Sequence, residues 1–128
     1  MTDFNAEKNV AVWFDLPVAD LDRAVEFYSG VLANKVSKME MEGCEFAILD
    51  HQDGNGGCLV LKPDEITPDK GLMLYLNVEG RIQDAAAKVT ELGGQTLEPI
   101  HPIGPYGFRT IILDSEGNRI VLHSQTDA

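Results

Sequence analysis

The hydropathy pattern of this chain occurs twice, and that repetition constrains its fold more than any other feature. At an offset of 60 residues Phe14 falls on Leu74, Leu16 on Leu76, Val18 on Val78 and Leu32 on Leu92. Toward the end of each copy the offset becomes 61, so Leu59, Val60 and Leu61 fall on Ile120, Val121 and Leu122. Self-similarity at a fixed spacing marks one supersecondary unit used more than once. A unit of about 50–60 residues is too small to bury a sheet face by itself. The two copies must share a core, or each must borrow a partner from another chain.

Each copy reads β-α-β-β-β. In residues 10–18, Val12, Phe14, Leu16 and Val18 alternate with Ala11, Trp13, Asp15 and Pro17, the signature of a strand with one apolar and one mixed face. Asp20 suits a helix N-cap, because its carboxylate can accept the free amide hydrogens of a first turn. Leu21, Ala24, Val25, Tyr28, Val31 and Leu32 then recur at helical spacing, predicting a helix over about 21–32. Strands are expected near 35–41, 44–50 and 57–62. In the second copy 72–78 alternates again, Ile82, Ala85, Ala86, Val89 and Leu92 mark a helix, and Gly93-Gly94 suits its C-terminal cap. Strands are expected near 95–98, 108–114 and 119–124, with the turn Asp114–Asn118 between the last two. The stretch 63–71, with two prolines, three acids and a glycine, reads as a connecting loop. At 128 residues the expectation is one α+β domain over 1–128, with module 1 at about 8–62 and module 2 at about 72–124.

Charge narrows the partners. Ten Lys and Arg against 21 Asp and Glu give a net charge of −11. Such a surface repels phosphate backbones and anionic lipid, so neither nucleic acid nor a membrane is expected as a partner, and a cationic ligand is favoured. The longest apolar runs, Val10–Phe14 and Leu72–Leu76, are five residues, where a spanning helix needs about 20. No basic, apolar leader is visible at the start, and a cytoplasmic location is expected. Cys44 and Cys58 are the only cysteines. On a 44–50/57–62 hairpin Cys58 faces the neighbourhood of Leu49, too far from Cys44 for a disulfide, so two free thiols are expected.

Two such modules in tandem resemble the vicinal oxygen chelate superfamily, which includes glyoxalase I, bleomycin-resistance proteins and extradiol dioxygenases. The resemblance is carried by Trp13-Phe14-Asp15-Leu16-Pro17-Val18-Ala19-Asp20 running into Leu21 through Phe27-Tyr28 and Val31-Leu32, and by Asp114-Ser115-Glu116-Gly117-Asn118-Arg119-Ile120-Val121-Leu122. It implies a half-open, curled mixed β-sheet with helices outside, a ligand on the concave face, and a homodimer. Relatives with enzymatic activity hold a divalent metal there, on His, Glu or Gln from the first and fourth strands of each module. Carried over by resemblance, those positions are Trp13, Val60, Met73 and Val121. An indole and two valines offer no lone pair and a thioether is a weak ligand, whereas divalent transition metals want imidazole, carboxylate or thiolate. Either the four side chains pack the cavity floor and no cofactor is bound, or the strand phase is off by one residue and neighbouring donors hold a divalent metal.

If Trp13 faces the hollow, Asp15 and Pro17 do too, as do Tyr75 and Asn77 with Met73, Arg119 and His123 with Val121, and Cys58 and Lys62 with Val60. The expected ligand-binding residues are Trp13, Asp15, Tyr75, Asn77, Arg119 and His123, with Tyr106 and Phe108 on a stiff 99–108 lid whose alternative role is a rigid connection with its aromatics finishing the core. Asp15 is either a ligand-orienting acceptor or general base, or a carboxylate paired with Arg119 or His123 or exposed at the mouth. His123 is either an acid–base group or metal ligand, or a half-exposed structural residue. His51 in a polar turn and His101 in a loop are expected to be solvated. Three functions are compatible with this pattern. The leading one is a bleomycin-resistance-like protein that binds a small organic molecule without a metal. The second is an enzyme, a lactoylglutathione lyase-like lyase, an isomerase or a dioxygenase, using a divalent metal or Asp15 and His123. The third is an interaction domain whose hollow is filled by Trp13, Met73 and Tyr75.

Overall fold

The computed structural model describes residues 9–128. Module 1 contains β1 (Asp15–Val18), α1 (Leu21–Leu32), β2 (Val36–Met41), β3 (Cys44–Leu49) and β4 (Cys58–Leu61). Module 2 contains β5 (Leu74–Asn77), α2 (Ile82–Glu91), β6 (Gln95–Pro102), β7 (Phe108–Leu113) and β8 (Arg119–Ser124). Each module forms a four-stranded mixed sheet, in the orders β1-β4-β3-β2 and β5-β8-β7-β6. The first strand runs parallel to the fourth in both, β1 with β4 and β5 with β8. A helical crossover makes that pairing possible, since parallel neighbours cannot be joined by a tight turn. The sheets do not close on each other, and the fold is a half-open curl with both helices outside.

Local chemistry sets the helix limits. The Asp20 side chain accepts from the Arg23 amide at 3.1 Å and starts α1. Ala33, in the left-handed conformation at φ 51°, ends it. After α2, the Gly94 amide donates to the Val89 carbonyl at 2.7 Å. A Cβ on Gly94 would lie 2.6 Å from the Leu113 carbonyl, so only glycine lets the chain turn this close to β7.

The core is one cluster drawn from both modules. Leu16, Val18 and Leu59 from the first sheet and Leu76, Ile120 and Leu122 from the second pack on Phe27, Tyr28 and Val31 of α1 and Ile82, Ala85 and Val89 of α2. Of the two ways to bury a module's sheet face, this chain shares a core internally. The β7–β8 turn fastens the halves. Glu116 accepts from the Ala19 and Asp20 amides at 2.9 and 2.8 Å and from Arg23 Nε at 2.7 Å, so it caps the start of α1 from the other module. The Asn118 side chain donates to the Pro17 carbonyl at 2.7 Å. Tyr28 Oη donates to Asp114 Oδ2 at 2.6 Å.

Three elements differ from the sequence reading. The strand expected at 72–78 covers only Leu74–Asn77 and leaves Met73 outside it. The 10–18 segment is irregular up to Phe14, and the strand proper starts at Asp15. β6 does not stop at 98 but continues to Pro102. It is an edge strand with register shifts between Thr96 and Glu98 and between Glu98 and His101. A bulged edge tolerates Pro99 and Pro102 because their missing amide hydrogens are not needed for a second neighbour. Among the described residues, no helix is long and apolar enough to cross a membrane.

Candidate ligand-binding site

Strand phase decides which side chains can meet a ligand. The residues packed on the helices are Leu16, Val18, Leu59, Leu76, Ile120 and Leu122. Strand alternation therefore turns Asp15, Pro17, Cys58, Val60, Tyr75, Asn77, Arg119, Val121 and His123 to the opposite, concave side. Register arranges these into rows across the sheets. In module 2, Asn77 lies beside His123, His123 beside Arg109, and Arg109 beside His101. The next row is Tyr75, Val121 and Ile111. In module 1 the corresponding rows are Pro17, Val60, Phe46 and Met39, then Asp15, Cys58, Ile48 and Ser37. One half of the concave face is thus polar and nitrogen-rich, and the other is mainly apolar.

The polar row is hydrogen-bonded within itself. Arg109 donates from Nε to His101 Nε2 at 3.1 Å and from Nη1 to Tyr75 Oη at 2.5 Å. His101 Nδ1 lies 2.8 Å from the Pro99 carbonyl, so it carries the proton and leaves Nε2 free to accept from Arg109. His123 Nε2 lies 2.7 Å from the Tyr106 carbonyl and donates to it. Gly107, at φ 94°, makes that contact possible: a Cβ there would sit 2.5 Å from the Ser124 carbonyl and 3.3 Å from His123 Nε2. A cavity of about 300 Å³ opens at the Asn77–His123 end of this row, lined by Tyr75, Leu76, Asn77, Ile103, Tyr106 and His123.

Asp15 and Trp13 form a second polar point on the module 1 side. Trp13 Nε1 and Cys58 Sγ each lie 3.2 Å from Asp15 Oδ1 and donate to it. Asp15 is exposed and takes these donors in place of Arg119 or His123. Burial, followed by the bond to Asp15, pushes the Cys58 thiol up to about 12. Cys44 is exposed, and both cysteines are free thiols. Arg119 and Met73 line a separate crevice of about 260 Å³ with Asp15 and Pro17, where Arg119 Nη2 lies 3.5 Å from the Gly71 carbonyl and Nε is buried without a partner.

The structure therefore brings Tyr75, Asn77, Tyr106 and His123 together and sets Trp13, Asp15 and Arg119 beside other cavities or groups. Phe108 is not part of a lid. It packs against the core cluster, because at the start of β7 it pairs with Ser124 on the helix-facing side. His101 is not a solvated loop residue: extension of β6 places it in a strand, bonded to Arg109. His51 is half-exposed rather than free in the turn. It contacts Trp13 edge-on at 5.8 Å between ring centroids and covers Gly56. Arg109 escaped the sequence reading altogether. Its signal was present: a five-residue Asp114–Asn118 turn pairs Leu113 with Arg119, and counting back places Arg109 opposite His123. A larger cavity of about 560 Å³, between Phe14, Leu32, Leu49, Leu76 and the turn 50–56, was also missed. It lies at the rim of the core, and the polar row touches it only through Asn77.

The four positions where the resemblance would put metal ligands do not fit one. Val60 and Val121 are buried hydrocarbon, the Trp13 indole nitrogen is a donor already bonded to Asp15, and Met73 offers only a thioether. Among the described residues no group of three or more His, Cys, Asp and Glu side chains is placed to hold a metal ion.

Comparison with known proteins agrees with this geometry at the level of fold. The family model of the Glyoxalase/Bleomycin resistance protein/Dioxygenase superfamily matches residues 10–122. A glyoxylase/bleomycin resistance protein/dioxygenase domain from Frankia sp. EAN1pec is similar with a TM-score of 0.71 and 18% identity over 91% of this chain and 97% of that one. A glyoxalase-related enzyme from Fulvimarina pelagi gives 0.67 and 18% over 91% and 88%. A genomically encoded fosfomycin resistance protein from Listeria monocytogenes gives 0.67 and 13% over 91% and 93%. At these identities the likeness concerns the fold alone. No curated protein matches the chain. With the model spanning nearly every residue and both modules in place, the chain belongs to the Glyoxalase/Bleomycin resistance protein/Dioxygenase superfamily.

Proposed function

We propose that this protein binds a small organic molecule on its concave face and does so without a metal at the positions of Trp13, Val60, Met73 and Val121. The observation that carries the reading is the pairing of donor-poor strand positions with the cavity over Tyr75, Asn77 and His123. A mostly apolar hollow with a few convergent polar groups is the usual form of a small-molecule site. Against the third possibility, a hollow filled by Trp13, Met73 and Tyr75, stands Tyr75, which is 45% exposed and lines the cavity, while Trp13 and Met73 are half-buried. We further propose a cytoplasmic homodimer. Met39 and Met41, 49% and 62% exposed on the edge strand β2, are the surface a second copy would cover.

Trp13, the single tryptophan, bonds Asp15 on the module 1 side of the same concave face, so its fluorescence reads ligand binding on that face. Titrating the untagged protein with a library of small aromatic and aliphatic compounds should change Trp13 fluorescence saturably for at least one of them. Elemental analysis of the same sample should find no stoichiometric transition metal. A stoichiometric metal whose removal abolishes a measurable turnover would replace this reading with the metal-dependent enzyme. An unresponsive indole across the whole library would favour the interaction domain.

A further inference from the structure

The concave face carries an electrostatic anomaly for a chain with 21 acids and 10 bases. There are four arginines. The two on the outer side are paired: Arg23 with Glu116 at 2.7 Å and Arg81 with Asp84 at 2.5 Å. The two on the concave side, Arg109 and Arg119, have no carboxylate within salt-bridge distance among the described residues. Arg109 is held by the Tyr75 hydroxyl and the neutral His101 ring. These two acceptors fix the plane of the guanidinium without cancelling its charge, and they leave Nη2 uncommitted. Glu98 lies beside Ile111 in the next row, and its exposed carboxylate is 3.9 Å from His101 Nε2. In an acidic protein an oriented guanidinium on a concave sheet face, beside a cavity and with no carboxylate at salt-bridge distance, is a site for a ligand's anion.

From this arrangement, resting on the reading above, we infer that the ligand is an amphipathic organic anion. Its acidic head lies against Arg109 in the row Asn77–His123–Arg109–His101, and its apolar body lies in the adjoining cavity along Tyr75, Ile103 and Tyr106. The net charge of −11 does not oppose this, because charges beyond about 8 Å are largely screened at physiological salt and the field in the hollow is set by its own lining. The expectation of a cationic ligand, drawn from net charge, is replaced by the local arrangement. Arg109 acts in positioning and selectivity, and no bond is made or broken.

The test uses the full-length protein and four probes of equal chain length: octanoate, octyl phosphate, octan-1-ol and octylamine. Calorimetric titration should rank either anion about tenfold or more tighter than octanol, the expected return for a charge-assisted hydrogen bond, with octylamine weakest. The order of the two anions identifies whether a carboxylate or a phosphoryl head is preferred. Arg109→Gln should bring the anions to the octanol level with the circular dichroism spectrum unchanged, and Arg109→Lys should restore only part of the preference. Equal binding of octanol and octanoate, or an Arg109→Gln variant that keeps the preference, overturns the anion assignment and leaves the small-molecule reading standing. Tightest binding by octylamine also overturns it. No binding by any probe to the wild-type protein overturns both.

Discussion

Replacing Tyr28 with Phe should cost this protein far more than one oxygen atom. Tyr28 is 0% exposed and Asp114 3% exposed, and their contact at 2.6 Å joins α1 of one module to the β7–β8 turn of the other. Asp114 is a buried carboxylate with four donors. Tyr28 and the Asn118 side chain serve Oδ2, while the Glu116 and Asn118 amides serve Oδ1. Phe keeps the ring and its edge-on contact with Phe27 at 5.0 Å, so the substitution removes one donor and little packing. A hydrogen bond to a charged group is worth about 1.5–3 kcal/mol, and that is the expected loss. Urea unfolding at pH 7 should show it as a lower midpoint with an unchanged slope. Burial raises the Asp114 carboxyl above its ordinary 3.8, and the Tyr28 bond is the foremost of the contacts that pull it back down. A carboxyl raised by folding makes stability fall as pH climbs from 3.8 through the folded value. Loss of Tyr28 extends that window upward, so the deficit of the variant should be larger at pH 7 than at pH 4. A loss below about 0.5 kcal/mol, the size of an ordinary surface change, would refute the assignment of Tyr28 as an inter-module bond. A deficit equal at the two pH values would refute the coupling to Asp114.

Two further outcomes follow from the same contacts. Burial opposes the Glu116 charge, but Arg23 and the donors from Asp20, Ser115 and Ala19 outweigh it and hold the carboxyl at about 2, below its ordinary 4.5. Its stabilisation is complete above pH 4.5 and is lost as pH falls from there to about 2. Glu116→Gln should therefore lower stability at pH 7 by about 1–2 kcal/mol, allowing for the exposed Arg23 partner, and flatten the acid limb of a melting-temperature profile; an unchanged limb contradicts this. Ellman's reagent should titrate one thiol per native chain, Cys44, because Cys58 is buried with its thiol pushed up to about 12; two fast thiols would show that the Asp15–Cys58 contact opens readily.

Much of this fold is legible in the sequence because burial on one side imposes a strict period. Leu16 and Val18, with Leu76 and Val78 at the matching positions, could pack on helices only if Asp15, Pro17, Tyr75 and Asn77 turned the other way. Asp20 announces the start of α1 by its own side chain. The reading fails where the outcome depends on a neighbour. Pro99 and Pro102 are strand breakers in general, yet on an outer edge they cost nothing, and the error removed His101 from the strand and hid its partner Arg109. Phe108 reads as a lid residue because the resemblance places its stiff segment near the pocket mouth, and only the pairing with Ser124 reveals that it faces the helices. Net charge is a coarse guide for a different reason: it counts acids over the whole surface and is silent on Arg109 and Arg119, which have no salt-bridge carboxylate among the described residues.

The central claim is that the concave face takes a ligand with no help from a metal. Amide and arginine side-chain NMR spectra recorded during an octanoate titration, with and without excess chelator, test it most directly. The account predicts saturable shifts in β5, β7 and β8 and at Arg109 Nε, little change in α1 and α2, and the same affinity in both samples. Shifts gathered instead around the turn 50–56 or the helical side, or binding that vanishes with the chelator, would contradict it.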